Sequence, residues 1–356
     1  SYALAMVRPI DPDEISPADV ALLSVLSWSG AMLIANDGLV SMQRLRDLVQ
    51  KLAWAGGLLA ALGVAQFLTN DILIDRISIP GLRVAEFEVF ERGGFVRPSG
   101  TATHPIEFGI ILAMMMPFAL HSAYFGKARN LVVRWLPTLL LGVAIALTFS
   151  RSAYVSAGVA LIILMIGWPA RRRATFAAGL GALAVVLFAA VPRLFGTIGA
   201  LFRNVGDDPS ISSRTDSYDL AFEFIGNSPF FGRGLGTFLP KYRIFDNQYL
   251  VLLVSIGVVG TIAAVVLFLT GVWVALSVAR SDPEPENRDV GLTIAAAIAA
   301  GAVSLATFDA FAFPMTMGTL FLVLGMAGAA YRLSSEEPFV GTPAVAPSRR
   351  GVATGG

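Results

Sequence analysis

A single arginine, Arg151, divides two long apolar runs, WLPTLLLGVAIALTFS before it and SAYVSAGVALIILMIGW after it. A guanidinium between two hydrocarbon-soluble segments needs a reason, and a cation at membrane depth suits an anionic lipid headgroup. Arg214 occupies a second suggestive setting, in SSRTDSYDLAFEFIG. Ser213 and Asp216 make an S-x-x-D capping signature, so an amphipathic helix over about 213–225 is expected with Arg214 in its first turn. A helix start offers free N–H groups and a positive dipole end, and an arginine there reinforces an anion site; a solvated loop arginine is the plain alternative. Arg97 and His104 lie in RGGFVRPSGTATHPIEF, just ahead of Pro105, which marks a helix start. His104 reads either as an acid–base group or as a polar residue hydrogen-bonded at a membrane interface, and His121 reads as structural. Of 26 basic residues only Lys51, Lys127 and Lys241 are lysines. Arginine's planar fork binds phosphate oxygens in pairs and keeps its charge when partly buried.

These residues must be positioned by membrane helices. The chain has 356 residues, 55% of them hydrophobic and 14% charged, with a mean hydropathy of +0.70, too apolar for a soluble domain of this size. A helix needs roughly 20 apolar residues to cross about 30 Å of hydrocarbon. Nine runs meet that need, near 18–36, 52–69, 105–125, 132–149, 152–169, 174–192, 247–275, 290–308 and 311–331. None alternates as a barrel strand does, so the expected fold is all-α and polytopic, a single membrane domain over 1–335. Placing 37–51, 126–134, 170–173, 276–289 and the tail after 331 in the cytoplasm gives that side 14 Lys and Arg against 8 Asp and Glu, and the other side 12 against 17. This is the positive-inside pattern, marked most clearly by Arg171, Arg172 and Arg173.

That orientation sets two long loops, about 70–104 and 193–246, on the outer side, where Arg97, His104, Arg151 and Arg214 then gather. It also places residue 1 outside, and the start SYALAMVRPI, without Met or signal peptide, leads us to expect further helices upstream. Residues 336–356 read as a disordered cytoplasmic tail. A net charge of +1 without a dense basic run speaks against nucleic acid as a partner. With no cysteine and two histidines, disulfides and Cys/His zinc patterns are excluded. FFGRGLGTF has three glycines but neither nucleotide-loop spacing nor a preceding strand, so a turn returning the chain to the membrane is expected.

Four segments in this order resemble the O-antigen ligase and polymerase family of bacterial envelope glycosyltransferases: RPSGTATHP, LTFSRSAYV, SRTDSYDLAFEFIGNSPFFGRGLGTF and DNQYLVLLVSIGVVG, covering about 95–262. The resemblance implies transfer of an undecaprenyl-pyrophosphate-linked glycan onto a glycan or lipid-glycan acceptor at the outer face of the inner membrane, with no metal and no cofactor. It places the functional arginines on Arg97, Arg151 and Arg214, and brings Tyr218 and Asn247 into the substrate-binding set. Family ligases carry a histidine where this chain has Asp246, followed by Asn247, Gly257 and Gly260, which shifts weight towards a polymerase or another acceptor. Such a reaction needs the departing pyrophosphate stabilised and an acceptor hydroxyl oriented by a base. Asp246 and His104 are the candidates, and Asp246 reads equally as a helix cap.

A polytopic anion or solute transporter is the alternative from another class. Transporters tend to place ionisable groups or broken helices near the bilayer midplane, and the middles of these nine runs are nearly free of charge. The orientation has a direct check, because the chain contains no cysteine. A cysteine replacing Ser213 is expected to react with an impermeant thiol reagent added to intact spheroplasts, and one replacing Arg172 is not; the reverse labelling would invert the topology.

Overall fold

The computed structural model describes residues 1–7, 9–74, 89–191, 193–203 and 217–336. These residues form twelve α-helices and one short hairpin: α1 (Tyr2–Val7), α2 (Pro12–Gly38), α3 (Met42–Thr69), β1 (Phe90–Arg92), β2 (Phe95–Arg97), α4 (Pro105–Phe125), α5 (Leu131–Leu147), α6 (Arg151–Gly167), α7 (Ala170–Ala190), α8 (Leu194–Arg203), α9 (Ser217–Asn227), α10 (Gln248–Ser281), α11 (Pro285–Ser304) and α12 (Pro314–Glu336). Each of the nine expected runs coincides with a helix. Six of these, α2, α3, α4, α7, α10 and α12, are long and apolar enough to cross a membrane. The other three differ from expectation. α5 and α6 have 17 residues each, about 25 Å of helix and short of a bilayer core. α11 opens PENRD and is a core helix, buried along most of its length. Leu23, Ile34, Leu58, Val185, Phe188 and Trp273 are exposed on the outside of the bundle, as a lipid-facing surface requires and a soluble monomer would avoid.

α4 and α11 are the centre: α4 packs on α3, α5, α6 and α11, and α11 also packs on α6, α10 and α12. Both are rich in small or flexible residues, AMMM in α4 and TIAAAIAAG in α11, which let helices approach closely where lipid provides no hydrophobic drive. α2 lies against α12, and α7 is peripheral with only Leu187 buried.

Three features depart from the sequence reading. The connection expected on the outer side ahead of α4 is not only a turn, since it carries the hairpin β1–β2, with Phe90 opposite Arg97 and Arg92 opposite Phe95. Its two-residue turn is Gly93–Gly94, both at positive φ (60° and 78°), the geometry that matches strand twist and that glycine adopts without strain. The apolar face expected of the 213–225 helix is divided: Ala221, Phe224 and Ile225 pack on Phe245, Leu250 and Val254, whereas Phe222 is exposed and Leu220 half-buried. Ser213, Arg214 and Asp216 lie outside the described residues, as does the tail beyond 336.

The third departure explains FFGRGLGTF. α10 is broken at Gly257 (φ 69°, ψ −174°), freeing backbone groups on both sides of the break. Residues 229–234 take them up. Arg233 and Gly234 donate to the carbonyls of Val254 and Ser255, and Val258 and Val259 donate to those of Pro229 and Phe230. A side chain at Gly257 would run into the Phe230 backbone, and one at Gly232 into Ser255 and Ile256. The spaced glycines thus join the loop to the helix. Gly257→Ala, combining a positive φ with a backbone clash, is expected to lower the apparent melting temperature in detergent by about 5 °C or more. Gly181→Ala, with open space around it, serves as the neutral control; equal melting of the two variants would contradict this role for the break.

Candidate active site

The basic half of the site is built around the turn between α5 and α6. α5 ends at Leu147, Thr148 caps it, Phe149 takes a left-handed backbone (φ 47°), and Ser150 caps α6 by accepting from the Ala153 N–H. Arg151 is therefore the first residue of α6, and the turn is three residues long. Phe149 is fully buried, stacked on Phe95 at 5.0 Å with Phe67 beside both. This aromatic sandwich fastens the hairpin to the turn. From the hairpin, Arg97 donates through Nε to the Thr148 carbonyl at 2.9 Å, and Arg92 reaches the Phe149 carbonyl at 3.5 Å. Arg151 reaches the Leu201 carbonyl of α8 at 3.5 Å. Arg97 thus bonds the turn from which Arg151 begins α6, although 54 positions separate the two arginines.

Arg97 is mostly buried, and its Nη2 has no hydrogen-bond partner among the described residues. Burial, with Arg92 adding repulsion, pushes its pKa down to about 10. An anion beside it would offset both effects. Its loop is held by Gln66 of α3, only 2% exposed, whose Oε1 accepts from the Ser99 and Gly100 N–H groups and whose Nε2 donates to the Ile72 and Gly100 carbonyls. All four hydrogen-bonding positions of that amide are used. Sequence reasoning missed Gln66 because it stands near the end of an apolar run with no motif around it.

His104 caps α4, its Nδ1 accepting from the Ile106 N–H at 3.0 Å, and its ring lies between Phe90 and Phe313 at 4.4 and 6.1 Å. Burial, with a contribution from the Arg97 charge, lowers its pKa to about 4. Glu107, another residue the sequence reading passed over, is 1% exposed. One of its oxygens accepts from the Thr103 N–H and hydroxyl, the other from the Met315 and Thr316 N–H groups that open α12. The signal was present, since Glu stands three residues after the cap, in the capping-box position.

The acidic half lies where α10 starts. Asp246 has a left-handed backbone (φ 50°) and Asn247 caps α10, accepting from the Tyr249 and Leu250 N–H groups. The Asn247 N–H in turn donates to Asp309 Oδ1 at 3.0 Å. Asp309 belongs to the 305–313 connection between α11 and α12, which Gln248 pins by accepting from the Phe311 N–H. Burial raises the Asp309 pKa, with the neighbouring Asp246 charge adding to the rise. Two carboxylates therefore sit together where the sequence pointed to one. The same connection carries Phe313, which touches Phe308 at 5.3 Å and lies near His104, so the acidic half abuts the basic one.

Not everything converges. Tyr218 is exposed on α9 with its ring 6.4 Å from that of Phe222, and no described contact ties it to Arg97 or Arg151. Arg214 falls outside the described residues. α9 is anchored by Arg243, whose Nε donates to the buried Ser217 hydroxyl at 2.8 Å. The loop before α10 is tied to α2 by Arg233 and Tyr242, both bonded to buried Glu14, and by Lys241 beside Asp13. His121 is buried on the opposite side of the bundle with Asp289 at 2.6 Å, in keeping with a structural residue.

Residues 136–265 match the O-antigen ligase family model. The O-antigen ligase match contains Arg151, Arg214, Tyr218, Asp246, Asn247 and the broken start of α10, whereas Arg97, His104 and Asp309 lie outside it. It supports a place in the ligase and polymerase family and a membrane glycan function. No curated protein matches the chain.

The lowered His104 pKa has a consequence for stability. An unfolded histidine takes up a proton near pH 6.5 and the folded one only near 4, so the unfolded state binds more protons in that window and stability is lost as pH falls through it. His104→Asn keeps a capping side chain and removes the titration. The variant is expected to show a flatter dependence of melting temperature on pH between 4 and 6.5 than the parent protein; identical slopes would contradict the burial of a neutral imidazole.

Proposed function

We propose that this protein transfers a glycan from a polyprenyl-pyrophosphate carrier to an acceptor hydroxyl at the outer face of the inner membrane. The observation carrying the reading is that Arg97, with an unpartnered buried Nη2, bonds the three-residue turn from which Arg151 begins α6. Paired guanidinium forks suit a pyrophosphate, and a low-dielectric setting strengthens them where charge grows on the leaving group. The acceptor oxygen forms a bond to the sugar C1 while the C1–oxygen bond to pyrophosphate breaks, leaving the electron pair on polyprenyl pyrophosphate. The acceptor proton passes to a carboxylate. Asp246 fills that role better than His104, whose Nδ1 is engaged in a cap and whose basicity is low. Asp309, held by the Asn247 N–H, is placed to share the proton. Direct attack inverts the configuration at C1. Tyr218 would join the substrate from the α9 side, and Arg214 keeps the pyrophosphate-binding role that the resemblance implies.

A polyprenyl tail needs an apolar path from the bilayer. A groove of about 460 Å³ between α3, α4 and α12, lined by Leu52, Leu58, Leu62, Ile111, Met115 and Leu322, ends at Thr101 and Met315 beside the His104 loop. We place the tail in this groove. The transporter alternative draws no support from the break in α10, because the freed backbone groups are taken up by the 229–234 loop rather than left to line a path.

Arg97→Ala and Arg151→Ala are each expected to reduce transfer from a lipid-linked repeat unit by about 100-fold or more, the scale seen when a single transition-state donor is removed. Lysine should restore only part, since it supplies charge without the fork. Full turnover in either alanine variant would refute the assignment. With lipid-linked repeat units alone, chain lengthening indicates a polymerase, and reaction only on addition of a second acceptor indicates a ligase.

A further inference from the structure

A cavity of about 960 Å³ lies far from these residues, at the opposite end of α6 from Arg151. Seventeen residues of helix set the two sites about 25 Å apart. Its walls come from the ends of α4, α6 and α10 and the starts of α7 and α11, and they are of two kinds. Ile163, Ile166, Leu276 and Leu292 are aliphatic; Arg172, Arg173, Arg280 and Arg288 bring four cations. Among the lining residues Asp289 is the one acid, and it is already engaged by both Arg172 and His121. Arg280 and Arg288 are exposed and have no acidic partner among the described residues.

Two of the residues lining this cavity carry buried donors that lack acceptors among the described residues. Trp168 is 2% exposed and its indole Nε1 has no hydrogen-bond partner, and the Nε of Arg172 is likewise buried and unpartnered among the described residues. The Arg172 guanidinium is fixed in place, stacked over the Tyr124 ring at 3.9 Å and the Trp168 ring at 4.2 Å, with Asp289 holding its other side. Arg173 is held by the carbonyls of Ile166 and Trp168 at the end of α6. A site with unsatisfied N–H donors, an excess of arginine and no spare acceptor calls for a ligand that is anionic and rich in oxygen. Its aliphatic walls call for a ligand that is also apolar. Water would satisfy the donors but leave the positive charge uncompensated and the aliphatic surface wet.

We propose that this cavity binds an anionic phospholipid of the leaflet opposite the transfer site, its phosphate meeting Arg172, Arg280, Arg288 and the Trp168 indole, and an acyl chain lying along Ile163, Ile166, Leu276 and Leu292. Basic pockets between helix ends on the cytoplasmic side are the setting in which such headgroups are held. The lipid joins α6, α7, α10 and α11 at the end remote from the Arg151 turn. The leaflet named rests on the orientation used for the proposed function; the chemistry of the ligand does not.

Native mass spectrometry of the detergent-purified protein tests this with neither glycan donor nor acceptor present, so failed transfer leaves the result standing. Phosphatidylglycerol or cardiolipin should give bound adducts at concentrations where phosphatidylcholine gives none. Arg280→Ala together with Arg288→Ala changes two exposed side chains that hold no described ion pair, and should weaken anionic-lipid binding roughly tenfold or more. Trp168→Phe, which keeps the aromatic wall and removes the donor, should weaken it less. Equal retention of phosphatidylcholine, an unchanged affinity in the double variant, or displacement of the lipid by millimolar inorganic phosphate alone would overturn the proposal.

Discussion

A guanidinium buried against the end of a helix is the interaction on which the site depends. Arg97 gives its Nε–H to the Thr148 carbonyl, at the C-terminal end of α5 where the backbone dipole is negative. That bond recovers only part of the hydration a buried cation loses, because Nη2 has no acceptor among the described residues and Arg92 lies close enough to repel. The protein holds the residue there by other means. The Phe67–Phe95–Phe149 stack locks the hairpin to the turn, and the Gln66 amide grips both sides of Gly100. Stability assembled elsewhere thus keeps a cation in a place where an incoming anion would relieve it, which is the arrangement a pyrophosphate-binding site requires.

The acidic half is positioned by the same kind of economy in backbone groups. Breaking α10 at Gly257 frees carbonyls and amides on both sides of the break, and the 229–234 loop fills them with its own. The loop is thereby registered against the helix start that carries Asp246 and Asn247, and Glu14 of α2 fixes its outer side through Arg233 and Tyr242. Glu107 performs a parallel task between α4 and α12, joining the His104 loop to the start of α12, just after the connection that carries Asp309. A rigid frame of helices therefore supports a site made of loops, with buried polar side chains as the fastenings.

Much of this was legible from residue types and spacing. All nine apolar runs are helices because twenty-residue hydrocarbon-soluble segments have few other ways to satisfy their backbone. Which of them span was less legible: α11 has a small-residue face that fits the core, and a hydropathy count does not distinguish a buried helix from a lipid-facing one. The β1–β2 hairpin was written in ERGGF, but three-residue strands in an apolar chain carry too little alternation to be read. Arg97 and Arg151 were identified by motif and setting, and their meeting on one turn could not be, since it depends on the aromatic stack of Phe95 with Phe149. Asp309 and Gln66 stood in no motif. Each acquires its role from a partner far along the chain, Asn247 for the first and Gly100 for the second, and such pairings appear only once the helices are packed.

The central claim is that Arg97 and Arg151 hold the two phosphates of a carrier lipid, and it is tested most directly by equilibrium binding without any glycan. Polyprenyl pyrophosphate and polyprenyl monophosphate of equal chain length share the tail and differ in the second phosphate alone. The unmodified protein is expected to bind the pyrophosphate at least tenfold more tightly, and Arg97→Ala to remove most of that preference while leaving the affinity for the monophosphate nearly unchanged, since a lost bidentate contact to a charged group amounts to about 1.5–3 kcal/mol. Equal affinity for the two lipids in the unmodified protein, or an undiminished preference in the variant, would contradict the account.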